Sequence, residues 1–253
     1  MLTTDVRDGV ALLRLDRPPA NAMDRGVFEA LTAAAAGLAA DAAVRAAVVT
    51  GTGRFFSAGL DLVAVFADDA AGFDAFTRAF DVAWRALFAF PKPMVAAVNG
   101  HAIAGGAVLA ACADVRLMAD GGGRAGLTEI QVGVTFPASA LEPVRYACAG
   151  PHLAELLCRG LTYPPAEALA RRLVDEVVPA DALLARATAL AAELGALSPA
   201  AYATTKRALR ADALARMDAH APGADPIWDD WRSEPVRAAV AAYRQRTLGA
   251  KRG

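Results

Sequence analysis

The sequence lacks an excess of either charge, paired cysteines and long apolar runs. Its 26 Lys and Arg against 27 Asp and Glu leave a net charge of -1, so no global field would attract nucleic acid or an anionic membrane. The 3 cysteines form no Cys-x-x-Cys pair and are typical of small buried residues in a reducing compartment. No apolar run approaches the length that spans a bilayer, and the start, MLTTDVRDGV, lacks the apolar region of a signal peptide. We therefore expect a cytoplasmic protein that binds neither nucleic acid nor membrane.

The sequence instead holds two alternating patterns. Strand-like runs such as 93–100 end at turn residues, and segments with helical spacing, such as 24–41 and 74–90, lie between them. Strands separated by helices indicate α/β architecture, whereas the last part of the chain shows helical spacing only. We predict an α/β core over 1–195 and a helical region over 196–253, in a chain of 253 residues that can bury a large core.

Glycines mark two turns that each follow a predicted strand. The first lies in VVTGTGRFFSAGLDL, which lacks the Gly-Lys-Ser/Thr ending of a phosphate loop and does not open a helix directly, as a dinucleotide fingerprint does. The second lies in NGHAIAGGAVLAACAD, where HAIAGG is predicted to be a loop and a helix starts near Gly105 or Gly106. Free N–H groups at a helix start suit a developing negative charge, and glycine lets a ligand approach them. Close backbone packing also requires small residues, so a structural role remains open for both turns.

Further motifs follow in a characteristic order. After GTGRFFSAGLDL come FPKPMVAAVNGHAIAGGAVLAACADVRLMAD, GLTEIQVGVTFP and GLTYPPAEALARRLVDEVVP. In these motifs, from about residue 9 to its end, the chain resembles the crotonase (enoyl-CoA hydratase/isomerase) superfamily. The resemblance implies a spiral of repeated β-β-α units. It also implies a C-terminal helical region, containing Trp228 and Trp231, that packs between the subunits of a homotrimer or a dimer of trimers.

The same resemblance implies the substrate and how it is held. An acyl-CoA thioester of fatty acid metabolism is expected, so coenzyme A is part of the substrate, and we expect neither a separate cofactor nor a metal. The thioester oxygen would accept hydrogen bonds from two backbone N–H groups, by position those of Ala58 and Gly105. Removal of a proton beside a thioester carbonyl moves charge onto that oxygen. Two preorganised donors stabilise the resulting enolate more than the neutral ground state.

A proton acceptor is also required. His101, His152 and His220 lie in no nucleophile or metal-ligand motif. The hydratases of the superfamily have two glutamates, and their positions correspond to Val108 and Glu129 of this chain. Adding water to a double bond is easiest with two proton-carrying groups, whereas moving a double bond from C3–C4 to C2–C3 needs only one. The pattern is therefore most similar to the Δ3,Δ2-enoyl-CoA isomerases, with Glu129 as the single base.

Several alternatives accompany this prediction. Without the resemblance, Glu129 would be interpreted as a surface carboxylate that caps a turn, whereas a base should lie in a mostly apolar pocket that raises its pKa. The second carboxylate of the dienoyl-CoA isomerases corresponds to Pro137, which disfavours that branch. A hydratase, thioester hydrolase or decarboxylase using Glu129 with a bound water is an alternative within the superfamily. A catalytically silent acyl-CoA-binding protein is the alternative outside the enzymes.

The resemblance also implies which residues surround the substrate. Those expected to bind it are Ala20, Asn21, Ala22, Leu60 and Asp61 at the coenzyme A end, and Phe66, Val108 and Phe136 at the acyl end. Basic residues on the C-terminal helices could meet the phosphates, with Lys206, Arg244 and Arg246 as candidates. Ordinary solvated helix charges explain these three basic residues equally well.

Overall fold

The computed structural model describes residues 1–67 and 69–249. The strands are β1 (Leu2–Arg7), β2 (Val10–Leu15), β3 (Ala46–Gly51), β4 (Phe55–Ser57), β5 (Met94–Val98), β6 (His101–Ile103), β7 (Val115–Ala119), β8 (Ala125–Gly126), β9 (Thr162–Tyr163) and β10 (Glu176–Val178). The helices are α1 (Arg25–Ala40), α2 (Leu62–Val65), α3 (Ala70–Phe88), α4 (Gly105–Ala111), α5 (Glu129–Val132), α6 (Ala138–Ala147), α7 (Leu153–Arg159), α8 (Pro165–Ala170), α9 (Leu183–Gly195), α10 (Pro199–Met217), α11 (Ile227–Arg232) and α12 (Glu234–Gly249). Among the described helices, none combines the length and the apolar character needed to cross a membrane.

The larger sheet has 6 strands in the order β1-β2-β3-β5-β7-β10, and only β1 pairs with its neighbour in the antiparallel direction. Every residue of β3 is buried, as expected for a parallel strand that is covered on both faces. Because side chains alternate along a strand, Ala46 and Val48 pack with residues of α9, while Ala47 and Val49 join the main core with α1 and α3.

The smaller sheet has the order β4-β6-β8-β9, and β4, β6 and β8 run parallel to one another. The segment predicted as a loop, HAIAGG, begins with β6, so that prediction was wrong. Three residues are too few to show an alternating pattern in the sequence. Three successive units, β3-β4-α2, β5-β6-α4 and β7-β8-α5, each supply one strand to the larger sheet, one to the smaller sheet and then a helix. The predicted spiral of β-β-α units is confirmed.

The C-terminal helices share the core of the rest of the chain. Trp228 and Trp231 of α11 are 0% and 2% exposed, and Trp228 packs edge-on against Phe76 and Phe80 of α3. Their indoles are thus covered by residues of their own chain. The boundary at residue 195 and the trimeric assembly remain predictions.

Gly37 offers a test of how α1 is stabilised. It is exposed in the helix interior, and a Cβ at this position would have no atom within 4 Å. Gly37→Ala is expected to raise the free energy of unfolding by about 0.5–1 kcal/mol, because alanine loses less backbone entropy on folding. Urea denaturation measures the change. A lower midpoint than that of the unchanged protein would mean that α1 does not have the described conformation at this position.

Candidate active site

The candidate site lies at one edge of the smaller sheet. β4, β6 and β8 are parallel and end at Ser57, Ile103 and Gly126, so the loops that follow them emerge at the same edge. Ligands of α/β proteins bind beyond the carboxyl ends of parallel strands. The topology therefore brings together the first glycine turn, the second glycine turn and the start of α5 with Glu129.

The two glycine turns touch through their backbones. Gly59 has φ +85°, and a Cβ there would lie 2.8 Å from the Ile103 carbonyl oxygen and 3.0 Å from the Gly105 nitrogen. A Cβ on Gly106 would lie 2.2 Å from the Ser57 carbonyl oxygen. The 2.8 Å distance at Gly59 and the 2.2 Å distance at Gly106 are too short for a real Cβ atom, so close packing explains both glycines. This contact also holds the N–H groups of the two turns in fixed relative positions.

The Ala58 N–H cannot serve as predicted, because it donates to the Ala20 carbonyl oxygen at 2.9 Å. Met23 and Leu60 form a parallel bridge, in which the Met23 N–H donates to Gly59 and the Met23 carbonyl accepts from Asp61. In such a bridge the N–H of Leu60 itself points away from the Met23 strand. No described residue accepts a hydrogen bond from the N–H of Leu60 or of Gly105.

The prediction of Ala58 as a donor is thus wrong, and the unpaired N–H of Leu60, two positions later, is a candidate donor together with that of Gly105. Leu60 was expected only to contact the substrate near the adenine. Both residues belong to one short turn, Ser-Ala-Gly-Leu, and only the hydrogen bonding of the backbone separates them. The sequence carries no signal for that difference.

Glu129 is the first residue of α5 and is 9% exposed. Burial raises the pKa of Glu129 to about 8, and its own backbone N–H offsets this only in part. Its Oε2 atom has no hydrogen-bond partner among the described residues. A buried, unpaired carboxyl oxygen is costly and signals a functional group. The interpretation of Glu129 as a surface cap is therefore wrong, and the expected burial and raised pKa are confirmed.

Val108 lies one turn after Gly105 on α4 and is 1% exposed. It presents an apolar side chain where the resemblance places a second carboxylate. Asp61 does not supply a free carboxylate in place of the one that is missing at Val108. Although partial burial opposes ionisation, hydrogen bonds from the Ala64 N–H and from Arg17 hold the pKa of Asp61 below its usual value. Asp61 caps α2 and pairs with Arg17 at 2.9 Å, which agrees with a role in the turn.

The loop of Ala20, Asn21 and Ala22 braces the first glycine turn. Asn21 is 1% exposed, and its side-chain amide donates to the carbonyl oxygens of Thr52 and Phe55. Its own carbonyl accepts from Ser57 at 2.8 Å. The carbonyl oxygens on either side also accept hydrogen bonds. The Ala58 N–H donates to Ala20, and the Arg17 guanidinium donates to Ala22. The predicted contact of this loop with coenzyme A remains a prediction.

Phe66 and Phe136 are both half-buried against the main core. Phe66 ends α2, just after the first glycine turn, and its ring stacks on Trp231. Phe136 follows α5 along the chain. Their predicted contact with the acyl chain is untested, but each lies on a segment that leaves the site edge.

Two other groups that the sequence analysis considers, His101 and Lys206, lie away from the site edge. His101 starts β6, at the opposite end of that strand from Gly105, and its ring contacts that of Phe55 at a tilt, with 5.0 Å between ring centroids. Lys206 is 7% exposed, and its ammonium pairs with Asp114 at 2.7 Å. The suggestion that Lys206 meets the substrate phosphates is therefore wrong. Arg244 and Arg246 remain candidates for that role.

Comparison with known proteins defines the class of protein. A family model described as Enoyl-CoA hydratase/isomerase matches residues 5–224. A probable enoyl-CoA hydratase of Mycobacterium bovis is 35% identical over 201 residues, which cover 79% of this chain and 77% of that protein. The mitochondrial enoyl-CoA delta isomerase 1 of Homo sapiens is 29% identical over 219 residues, which cover 86% of this chain and 72% of that protein.

Comparison with solved structures gives the same class of protein. The crystal structure of human mitochondrial delta3-delta2-enoyl-CoA isomerase matches with a TM-score of 0.94 and 26% identity, over 100% of this chain and 99% of that one. The α/β spiral and the C-terminal helices described above are those of the crotonase fold. The chain therefore belongs to the enoyl-CoA hydratase/isomerase family.

Proposed function

We propose that this protein isomerises 3-enoyl-CoA to 2-enoyl-CoA through Glu129 as the single base. The observation that carries the proposal is the buried Glu129 carboxyl, with one oxygen unpaired among the described residues. At the position where the resemblance places a second acid, α4 has the buried Val108. Glu129 would remove a proton from C2, giving a dienolate, and return a proton to C4. The double bond then lies between C2 and C3, conjugated with the thioester.

The N–H groups of Leu60 and Gly105 would hold the thioester oxygen during this step. Both are free of acceptors in the described chain, and the contact between Gly59 and Gly105 fixes their separation. Charge on the oxygen is greatest in the dienolate-like transition state, so the two donors stabilise that state more than the substrate. All the required groups belong to the protein, so we propose that the reaction needs no cofactor beyond the coenzyme A of the substrate.

Hydration of 2-enoyl-CoA is the second candidate, because relatives with 35% and 34% identity are named as hydratases. It would require water to be activated and a proton to be delivered with one carboxyl group only. The resemblance to the human isomerase in fold favours isomerisation. Trimeric assembly, inferred from the family resemblance, is part of the proposal and is tested by sedimentation of the purified protein.

The two candidates are separated by giving the protein 3-hexenoyl-CoA and 2-hexenoyl-CoA in separate reactions. The conjugated thioester chromophore should appear from the first substrate, and the second should lose it much more slowly. Rapid loss of the chromophore from 2-hexenoyl-CoA, with no product from 3-hexenoyl-CoA, would establish a hydratase. Binding of both esters without turnover would identify a silent acyl-CoA-binding protein.

Isomerisation should depend on pH through Glu129. Burial raises the pKa of Glu129 to about 8, and only the ionised carboxylate can accept the proton from C2. The ionised fraction therefore increases as pH rises toward that value. We expect kcat/KM to increase about tenfold from about pH 7 to about pH 9 and then to level off. A profile that is flat over this interval would contradict the assignment of the raised pKa to the base.

A further inference from the structure

A tryptophan of the C-terminal helices connects the two segments that leave the site. The Trp231 indole N–H donates to the Thr135 carbonyl oxygen at 3.0 Å. Its ring stacks on Phe66, with 6.1 Å between centroids and an angle of 9° between planes. Phe66 ends the short helix after the first glycine turn, and Thr135 follows the helix that begins with Glu129. The Trp231 side chain thus contacts both the segment that follows the first glycine turn and the segment that follows α5.

Behind Trp231 lies a layer of buried aromatic side chains. Trp231 is 2% exposed and contacts Trp228 edge-on at 5.1 Å. Trp228 in turn contacts Phe80 at 5.1 Å with perpendicular rings, and its indole N–H donates to Asp81 at 3.1 Å. Aromatic stacks of this kind leave little free space, and the hydrogen bonds fix both indoles. A chain that enters between Phe66 and Thr135 would meet this layer without being able to displace it.

We propose that Trp231 limits the length of the acyl chain, so that the substrates are short straight-chain enoyl-CoA esters. The proposal rests on the proposed function, because it takes the thioester to lie between the donor turn and Glu129. From there an acyl chain would run toward the Phe66 and Thr135 segments, where the Trp231 indole already occupies the space between them. Trp231 contacts no reacting atom in this arrangement and acts as a specificity-determining residue.

Binding of saturated esters tests the limit without requiring turnover. Calorimetry gives the Kd of hexanoyl-CoA and of dodecanoyl-CoA for the unchanged protein, Trp231→Ala and Trp231→Leu. The unchanged protein should bind hexanoyl-CoA more tightly. Trp231→Ala should shift the ratio of the two affinities toward dodecanoyl-CoA by about tenfold or more, because each added buried methylene is favourable once space exists. Trp231→Leu should shift the affinity ratio in the same direction. This variant provides the test if Trp231→Ala does not fold.

Trp84→Phe is the matched control. Trp84 is 0% exposed, its indole N–H has no partner among the described residues, and it packs edge-on against Phe28 and Phe80. Its replacement removes a buried indole of the same aromatic layer without opening the gap between Phe66 and Thr135. The affinity ratio of this variant should equal that of the unchanged protein.

The outcomes separate this inference from the proposed function. An unchanged ratio in a folded Trp231 variant, or tighter binding of dodecanoyl-CoA by the unchanged protein, would overturn the length limit. A shifted ratio in a protein that does not isomerise 3-hexenoyl-CoA would support the length limit and overturn the isomerase. Failure to bind any acyl-CoA would overturn both.

Discussion

Glu129→Gln should lower kcat/KM for isomerisation of 3-hexenoyl-CoA by about 1,000-fold or more, since a general base contributes on this scale. Glutamine has the same shape but cannot accept the proton from C2. Glu129 already lacks a partner for Oε2 among the described residues, so the loss should come from the chemical step and not from a broken network. The rate of appearance of the conjugated thioester measures the effect. Retention of more than about a tenth of the rate would exclude Glu129 as the base.

Glu142→Gln is the control for this substitution. Glu142 is 3% exposed, and it pairs with Arg216 at 2.8 Å and with Arg145 at 3.0 Å. Its replacement should weaken these ion pairs and lower stability, with the isomerisation rate nearly unchanged. Two buried glutamates would then respond in opposite ways. Loss of activity in both variants would point to unfolding as the common cause.

The stability of Glu129→Gln gives an independent check of the raised pKa. Between the ordinary pKa of a glutamate and the value of about 8 in the folded protein, the folded state holds one proton more than the unfolded state. The free energy of unfolding therefore falls with rising pH in that window and becomes constant above it. Glu129→Gln lacks this contribution. Its stability relative to the unchanged protein should thus increase from about pH 5 to about pH 8.

The second large effect is expected at the contact of the glycine turns. Gly59→Ala places a Cβ against the Ile103 carbonyl oxygen and the Gly105 nitrogen, at 2.8 Å and 3.0 Å. The turns must separate, and the N–H groups of Leu60 and Gly105 move out of register. We expect kcat to fall by about 100- to 1,000-fold, the cost of one lost oxyanion donor. KM should change much less, because the donors act mainly in the transition state.

Gly53→Ala is the matched control for backbone strain. Gly53 also has a positive φ, +68°, but a Cβ there would have no atom within 4 Å. The substitution should cost about 1–2 kcal/mol of stability from the left-handed conformation and leave kcat nearly unchanged. If both variants lose the same activity, the strain of the first turn and not its contact with the second would explain the effect.

The sequence predicts the architecture because long elements carry strong patterns. The helices predicted at 24–41 and 74–90 are α1 and α3, and the alternation of strands and helices is that of the β-β-α spiral. The strands of the smaller sheet are two or three residues long. They show no periodicity, so the sequence predicts a loop for HAIAGG.

The candidate site was predicted only where a residue type carries the chemistry. The family resemblance points to Glu129 and Val108 by position, and the residue types at these two positions, one carboxylate and one apolar side chain, then indicate single-base chemistry. The donor N–H groups are backbone atoms, so the sequence could not decide between Ala58 and Leu60. Trp231 lies about a hundred residues along the chain from Glu129, and the contact between α11 and the site segments has no local pattern. The proposed role of Trp231 in limiting acyl-chain length follows only from its contacts with Phe66 and Thr135 in the structure.

The measurement that tests the central claim most directly follows a label through one turnover. The protein is given 3-hexenoyl-CoA with deuterium at C2 in ordinary water, and NMR locates deuterium in the 2-hexenoyl-CoA product at low conversion. One carboxyl group that is 9% exposed should carry part of the label from C2 to C4, because a shielded acid exchanges slowly with solvent. Deuterium at C4, lost together with activity in Glu129→Gln, is the predicted result. Product that carries no deuterium at C4, even at the earliest times, would contradict a single shielded base.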